Sequence, residues 1–187
     1  MNALELDENL IIRMASGDGD AFRDLYRKTA GPVYGFALSI LRNRHDAEDV
    51  MHDAFIKTYQ NAGAYKPKGK PWAWIMTIVR NLCYDRLRAG KISDDAEQYE
   101  SLAGVRDEDA AQGTEELALD RIVLREALGI LGAEDRQIVM LHALTGMKHR
   151  EIAELLDIPV GTVLSKYNRA LKRMRDKIDG KERENDR

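Results

Sequence analysis

The sequence contains few of the residues that cross-link a chain or interrupt its helices. Cys83 is the only cysteine among 187 residues, so no intrachain disulfide forms and no cysteine cluster holds zinc. The four prolines leave room for long helices. No apolar run approaches the ~20 residues that cross a bilayer, and the acidic start lacks the features of a signal peptide. With 6% aromatic and 33% charged residues, a cytoplasmic helical protein is expected.

Acidic charge is concentrated in one middle segment. Residues 91–118 hold 2 basic and 9 acidic side chains, whereas 1–90 hold 13 and 11, and 119–187 hold 14 and 12. The net charge of −3 therefore does not exclude a nucleic-acid partner, because phosphates respond to local basic clusters within a Debye length.

The C-terminal stretch 148–178 predicts two helices joined by a tight turn. The first helix covers 150–156, Asp157 suits a left-handed turn residue, and Pro159 falls near the start of the second helix. The second helix has an apolar stripe and a polar, basic side, which suits the major groove of DNA. An amphipathic hairpin with a solvated basic face is the alternative. The stripe consists of Val163, Tyr167, Ala170, Leu171, Met174 and Ile178.

Apolar residues at helical spacing predict further helices upstream. They cover 4–14, 20–29, 33–41, 47–61 and 72–88, and later 117–131 and 134–144. Gly31 and Pro32 predict a break or kink between two of these helices. Asp46 is predicted to cap the 47–61 helix. Residues 89–114 lack periodicity and are typical of a partly disordered linker.

The predicted 47–61 helix carries an excess of outward acids. Glu48, Asp49 and Asp53 share its outer side with His52, whereas helix-dipole compensation explains only one or two carboxylates. Tyr59 is predicted to face inward. A metal site formed by His45, Asp49 and His52 is an alternative, although no further anchored ligand lies nearby.

Residues 63–72 (GAYKPKGKPW) form the clearest loop. Lysines interleaved with aromatic residues suit single-stranded nucleic acid, since the cations meet phosphates and the rings stack on bases. A solvated turn is the alternative. Trp72 and Trp74 are most simply interpreted as core or loop-anchoring residues, and His142 and His149 have no obvious ligand partners.

Four stretches, in order, resemble a known family: the extracytoplasmic-function (group IV) sigma factors of bacterial RNA polymerase. They cover nearly the whole chain except the linker and the two ends. DAFRDLYRKTAGPVYGFALSILRN resembles the opening helices of sigma region 2, and DAEDVMHDAFIKTYQN the region 2.2 helix. WAWIMTIVRNLCYDRLR resembles regions 2.3 and 2.4, and DRQIVMLHALTGMKHREIAELLDIPVGTVLSKYNRALKRMR resembles region 4.

The resemblance implies an all-α protein with two small helical domains joined by a flexible acidic linker. Sigma region 2 would cover 1–90, the linker 91–116, and region 4, with its helix-turn-helix, 117–187. The implied partners are core RNA polymerase, through its β′ coiled coil and β-flap, promoter DNA, and an anti-sigma factor. No cofactor, metal or covalent chemistry is implied. The protein would be cytoplasmic, without membrane insertion, and nucleoid-associated within the holoenzyme.

The resemblance also implies roles for individual residues. Region 2 would open the minus-10 element and capture an unstacked base, and region 4 would read the minus-35 element. Asp85 is expected to pair with a neighbouring arginine. Polymerase docking would use Asp46, Glu48, Asp49 and Asp53; the minus-10 contacts would be Tyr65, Lys66, Lys68, Lys70, Trp72, Asn81, Tyr84 and Arg88; and the minus-35 contacts would be Thr162, Ser165, Lys166, Arg169 and Lys172.

Three positions depart from the family pattern. His52 stands where glutamine is usual, Leu164 where a basic residue is frequent, and Lys166 where arginine is frequent. The last two affect the expected minus-35 preference, since lysine offers a point charge instead of a bidentate fork. A helix-turn-helix regulator that acts without polymerase is the second functional hypothesis, although it does not need the acidic helix or the lysine-rich loop.

Overall fold

The computed structural model describes residues 6–90 and 123–185, and every regular element in those ranges is helical. The predicted all-α fold is confirmed. The predicted linker and the start of the 117–131 helix lie outside the described residues. The helices are α1 (Asn9–Ala15), α2 (Gly19–Leu41), α3 (Arg44–Gln60), α4 (Pro71–Arg88), α5 (Ala133–Thr145), α6 (His149–Leu156) and α7 (Val160–Asn185), with a 3-10 turn at Ala62–Ala64 and a further helical stretch at 123–129.

Helices α1 to α4 form an N-terminal bundle around one apolar core. Ile11, Leu25, Phe36, Val50 and Ile75 come from four helices and are essentially inaccessible to solvent. Each such side chain contributes about 1.5–3 kcal/mol by leaving water. Their burial fixes which faces of α3 and α4 remain exposed.

A break or kink was predicted at Gly31 and Pro32, and the break is wrong, because α2 runs continuously through Pro32. Asp18 caps its start by accepting from the main-chain N–H groups of Asp20 and Ala21 at 2.9 and 3.1 Å. An internal proline costs about 3 kcal/mol. Burial of the following Val33, Phe36 and Ala37 offsets that cost.

The predicted start of α3 is also wrong. Asn43, and not Asp46, caps this helix, since the Asn43 side chain accepts from the Asp46 main-chain N–H at 3.0 Å. Both asparagine and aspartate are good N-cap residues, so the local pattern did not distinguish them. The Asp46 carboxylate is consequently available for another partner.

Helices α5 to α7 form the C-terminal unit, in which α6 and α7 are the two helices of the predicted helix-turn-helix. Ile138, Ile152, Val163 and Ala170 form its centre and are inaccessible to solvent. Asp157 ends α6 with φ 57° and ψ 48°, so the predicted left-handed turn is confirmed. Pro159 lies just before α7, and its carbonyl accepts from Thr162 and Val163.

The two units pack against each other, chiefly through α2 and α5. Arg136 of α5 is only 2% exposed. Its guanidinium donates to the carbonyls of Leu128 at 3.2 Å, Leu131 at 2.6 Å and Ser39 at 3.1 Å. The Ser39 carbonyl belongs to α2, so Arg136 joins the C-terminal unit to the N-terminal bundle.

Candidate polymerase and promoter interfaces

The outer face of α3 carries the predicted docking carboxylates. Glu48, Asp49, His52 and Asp53 are all exposed there. The Asp49 carboxylate accepts from Arg86 Nη2 of α4 at 2.7 Å, whereas Glu48 and Asp53 point their charge to solvent. We call these four residues, together with Ile56 and Tyr59, the α3 surface.

Asp46 does not belong to this exposed surface. Its carboxylate is buried, with the residue 4% exposed, and accepts from Arg86 Nε at 2.5 Å. The family resemblance assigned Asp46 to the exposed docking face, and this assignment is wrong. In the structure the Asp46 carboxylate contacts α4, where a buried charge needs a partner and Arg86 supplies it.

Two exposed apolar residues adjoin the acids on α3. Ile56 is 54% and Tyr59 47% exposed. The Tyr59 ring contacts Phe22, with 5.4 Å between the ring centroids. The residue is nevertheless exposed, so the prediction that Tyr59 faces the core is wrong. Periodicity assigns Tyr59 to the core because it follows Phe55 by one turn. No sequence pattern had indicated a role for Ile56 at the surface.

The alternative metal site finds no support in this arrangement. Within 6–90 and 123–185, no three His, Cys, Asp or Glu side chains are grouped so that they hold a metal ion. His45, Asp49 and His52 are exposed and face solvent, and Asp49 is bonded to Arg86.

In the lysine-rich loop, the aromatic residues Tyr65 and Trp72 are held by contacts within the protein. The Tyr65 hydroxyl donates to the Glu8 carboxylate at 2.9 Å, and the same carboxylate accepts from the Gly69 N–H at 2.9 Å. Burial, together with the negative charge of Glu8, raises the pKa of Tyr65 to about 12. Trp72 is buried in the core. The predicted core role of Trp72 is therefore confirmed, and its ring does not face the surface predicted to contact DNA.

Lys66 and Lys68 of this loop are exposed, whereas Lys70 is already paired. Its ammonium donates to the Glu154 carboxylate of α6 at 2.7 Å. The three predicted lysines of this loop are thus not equivalent. Lys66 and Lys68 are directly available to a polyanion, and Lys70 becomes available once it leaves Glu154.

Helix α4 presents a polar row beyond the loop. Asn81 is exposed, and the Tyr84 hydroxyl accepts from Gln137 Nε2 of α5 at 3.2 Å. Arg88 pairs with Asp85 at 2.6 Å, which confirms the expected arginine partner of Asp85. Asn81 and Arg88 lie at the surface, while Tyr84 lies against the C-terminal unit.

Helix α7 has one buried and one solvent-facing side. Ser165, Arg169 and Lys172 are exposed on the latter. Arg169 Nε donates to the Ser165 carbonyl at 3.2 Å, which holds the first part of the arginine side chain along the helix. These three residues lie on the side of α7 that was predicted to meet the major groove.

Lys166 does not share that face. Its ammonium pairs with Glu134 at 2.9 Å and with Asp135 at 3.4 Å, both on α5. Hydrogen bonding to Glu134 raises the pKa of Lys166. Thr162 is half-buried. Lys166 therefore stabilises the helix-turn-helix from the side, in contrast to the predicted DNA contact.

Two further residues of the exposed α7 face were missed as candidates. Leu164 is 42% exposed, and Asn168, one turn further on, is also exposed. Leu164 was predicted only to lack the basic contact that is frequent at this position in the family. Asn168 was available as a candidate because it lies off the apolar stripe, between Ser165 and Arg169.

The comparisons with known proteins cover both helical units. Residues 25–91 match the family model of Sigma-70 region 2, and residues 121–174 match that of Sigma-70, region 4. The order of the two matches is the order of the two units. This defines the class of protein as a sigma-70-type factor.

Curated relatives narrow this class. The ECF RNA polymerase sigma-E factor of Haemophilus influenzae is 31% identical over 182 residues, covering 92% of this chain and 95% of the relative. The ECF RNA polymerase sigma factor SigW of Bacillus subtilis is 31% identical over 180 residues, covering 90% and 94%. The chain belongs to the extracytoplasmic-function family of RNA polymerase sigma factors. It therefore acts with RNA polymerase in promoter-specific initiation of transcription.

Solved structures show the same fold. CnrH, in complex with the cytosolic domain of CnrY, is 22% identical with a TM-score of 0.66, covering 93% of this chain and 97% of that one. The sigma factor RpoE of Bartonella quintana, in complex with the anti-sigma factor NepR, is 21% identical with a TM-score of 0.65, covering 84% and 96%. In the described part of this chain, none of the helices is both long and apolar enough to cross a membrane.

Proposed function

We propose that three surfaces divide the work of this sigma factor. The α3 surface docks on core RNA polymerase, the 65–72 loop with α4 engages the melted minus-10 element, and the exposed face of α7 reads the minus-35 duplex. The observation that carries this proposal is the separation of charge: exposed carboxylates lie on α3, and exposed cations lie on the loop and on α7. The units would correspond to region 2 over 1–90, a linker over 91–116, and region 4 over 117–187.

The α3 surface has the composition of a protein interface. Apolar Ile56 and Tyr59 provide area that loses water on binding, and such residues supply much of the binding energy in protein complexes. The exposed charges of Glu48 and Asp53 beside them favour a basic partner and increase its rate of encounter. A basic helical surface on the polymerase, such as the β′ coiled coil, fits this combination.

The minus-10 surface combines cations with an exposed amide. Lys66 and Lys68 would contact phosphates, and Asn81 and Arg88 of α4 would contact the unpaired strand. Tyr84 and Lys70 join them after their contacts with Gln137 and Glu154 open. Flipping a base costs a few kcal/mol of pairing and stacking, which phosphate contacts and a base pocket offset. Tyr65 and Trp72 support this surface from beneath.

The family assignment implies a protein without covalent chemistry of its own, and we propose that this chain is not an enzyme. It would bind melted promoter DNA in preference to duplex while the polymerase carries out synthesis. We place it in the cytoplasm, associated with the nucleoid when in holoenzyme. An anti-sigma factor that covers the polymerase-binding surfaces is a further proposed partner, since the structural neighbour RpoE of Bartonella quintana was solved with the anti-sigma factor NepR. The free helix-turn-helix regulator is not favoured by the family assignment.

The division of labour is tested with one cation of α7. Arg169→Ala is expected to weaken holoenzyme binding to promoter DNA about tenfold, because it removes a charged contact in the groove. Binding to core polymerase should be unchanged. Promoter affinity is measured by fluorescence anisotropy, and polymerase affinity by titration with labelled protein.

The matched control is Arg175→Ala, which removes another exposed arginine further along the same helix. This variant should retain most of the promoter affinity. If Arg169→Ala and Arg175→Ala weakened promoter binding equally, the proposed reading face of α7 would be wrong. A loss of polymerase binding in Arg169→Ala would contradict the separation of the two surfaces.

A further inference from the structure

Leu164 and Asn168 form an exposed pair on the face of α7 that remains available to DNA. They are four residues apart, so their side chains lie next to each other along one side of the helix. Leu164 is 42% exposed and lies outside the apolar core. Within the described residues, the Asn168 amide has no hydrogen-bond partner.

The opposite side of this helix packs against the rest of the C-terminal unit. Val163 and Ala170 are buried in the C-terminal core, and Lys166 is held by Glu134 and Asp135 of α5. The groove-facing side is therefore left with Leu164, Ser165, Asn168, Arg169 and Lys172.

Gly161 allows this side to approach a groove closely. It is exposed and lies in the first turn of α7, the part of a recognition helix that contacts base edges. A Cβ built at Gly161 would meet nothing within 4 Å, so the position is open towards solvent. The absence of a side chain there lets the following turn, with Leu164 and Ser165, come nearer to the bases.

The chemistry of the pair matches one kind of base pair. An asparagine amide donates and accepts, and in the major groove it matches N6 and N7 of adenine. An aliphatic side chain matches the 5-methyl group of thymine, which is the apolar group on the major-groove edge. An arginine at position 164 would instead favour guanine. Arg169 and Lys172 lie beside the pair and supply charge for the flanking phosphates.

We propose that Leu164 and Asn168 read A·T pairs in the minus-35 element. Asn168 makes a bidentate hydrogen bond with adenine, and Leu164 contacts a thymine methyl group. This inference rests on the proposed role of α7 and names the bases that it prefers. The specificity of this chain would thus differ from that of relatives with a basic residue at position 164.

The test uses holoenzyme assembled from the full chain and core polymerase. A promoter library with a randomised minus-35 segment is first selected for binding. In the selected promoter, each minus-35 thymine is then replaced by uracil, which lacks the methyl group, and each adenine by 7-deazaadenine, which lacks N7. One uracil position should weaken binding about fourfold, as expected for one buried methyl-sized group. One 7-deazaadenine position should weaken it about tenfold, as expected for a broken bidentate contact.

Variants assign each effect to its side chain. Leu164→Ala should remove the sensitivity to uracil and leave the sensitivity to 7-deazaadenine. Asn168→Ala should do the reverse. Arg175→Ala, on the same helix, should retain both sensitivities. These are surface changes on an exposed helix, so the fold is retained, and circular dichroism of each variant checks this.

The outcomes separate this inference from the proposed function. A selected minus-35 segment with no A·T preference overturns the inference, as does equal affinity for the modified and natural promoters. Sensitivities that persist in both alanine variants overturn it too, because other residues then read those bases. If selection yields no minus-35 preference at all, the proposed role of α7 fails together with the inference.

Discussion

Individual lysine and arginine side chains in this chain either stabilise the fold or remain exposed to binding partners. Arg86 is held by Asp46 and Asp49, and Lys166 by Glu134 and Asp135. Arg169 and Lys172 remain at the surface. A charged group that is buried needs an oppositely charged partner close by. We therefore assign a structural role to the cations that are paired with carboxylates. The cations that extend into solvent are those we assign to phosphates.

His149 makes the stability of the C-terminal unit sensitive to acid. Its ring stacks on that of His142 with centroids 5.0 Å apart, and both rings contact Tyr167. Burial, and then the positive charge of a protonated His142, lower the pKa of His149. The folded state therefore favours the neutral ring, and the unfolded state binds the extra proton below its ordinary pKa of about 6.5.

We accordingly expect the free energy of unfolding to fall as pH decreases from about 7 through 6.5 towards the lowered pKa of His149. Urea unfolding at pH 7.5 and 5.5 measures this fall. The variant His149→Gln, which has no titrating ring at that position, should lose less stability over the same interval. An equal loss in the two proteins would show that His149 does not cause the dependence.

At the residue scale, the sequence predicted partners best when they lie within one helical turn. The Asp85–Arg88 pair is three residues apart and was foreseen. The partner of Asp46 was not foreseen, because Arg86 lies 40 residues further along the chain, on α4. Helix periodicity carries no information on contacts at such a sequence separation. The exposed candidates on α7, Ser165, Arg169 and Lys172, were located correctly because they lie opposite a strong apolar stripe.

At the scale of elements, the turn of the helix-turn-helix depends on one left-handed residue. Asp157 has φ 57°, a conformation that costs an L-residue about 1–2 kcal/mol relative to glycine. The turn sets the angle between α6 and α7, and therefore the position of the reading face. Aspartate tolerates this conformation better than most residues, which is why its position predicted the turn.

Asp157→Gly is expected to raise the free energy of unfolding by about 0.5–1 kcal/mol, because glycine adopts the left-handed conformation without steric cost. Asp157→Val should lower it by about 1–2 kcal/mol, since a branched Cβ is least tolerated there. Urea unfolding measures both changes. Asp176→Gly, in the interior of α7, is the matched control.

At this control position the same substitution should destabilise by about 0.3 kcal/mol, since glycine is a weaker helix former than aspartate in a helix interior. Stabilisation by glycine at both positions, or at neither, would contradict the role assigned to the left-handed turn. The two positions share the original residue, the new residue and exposure to solvent, so the backbone conformation is the main difference between them.

Helix existence was predictable in this chain, whereas several helix limits were not. The 72–88 and 150–156 patterns lie within two residues of α4 and α6 because their apolar residues repeat at helical spacing. Pro32 was misinterpreted because local propensity favours a break and only the buried residues after it favour a continuous helix. The start of α3 was misplaced because Asn43 and Asp46 are both competent caps.

At the scale of the whole molecule, the two helical units are in contact on surfaces that the proposed function uses. Lys70 is bonded to Glu154, and Tyr84 to Gln137. Promoter DNA cannot contact Lys70 and Tyr84 while these two hydrogen bonds persist. The arrangement of the units was not predictable from sequence, since the Arg136 to Ser39 contact joins residues 97 apart and depends on shape complementarity.

The units are therefore expected to separate when the minus-10 element is bound. A carbodiimide forms an amide between an amine and a carboxylate in direct contact, so it should join Lys70 to Glu154 in the free protein. The yield of this cross-link should fall several-fold in the promoter-bound holoenzyme. Peptide mass spectrometry of the free protein and of the promoter-bound holoenzyme measures the yield of the cross-link.

Glu154→Gln is the control for this cross-link, since its amide cannot be activated by the carbodiimide. The cross-linked peptide should be absent from this variant. An unchanged Lys70–Glu154 yield in the promoter complex would show that the two units stay together and that Lys70 does not contact DNA.

The most direct test of the central claim is co-elution of the purified chain with core RNA polymerase on gel filtration at moderate salt. Wild-type protein should elute with the polymerase. Asp53→Lys, which reverses a charge at the centre of the α3 surface, should elute separately, whereas Asp179→Lys, the same reversal at an exposed site on α7, should still co-elute. Failure of the wild type to co-elute, or equal behaviour of the two variants, would contradict docking through α3.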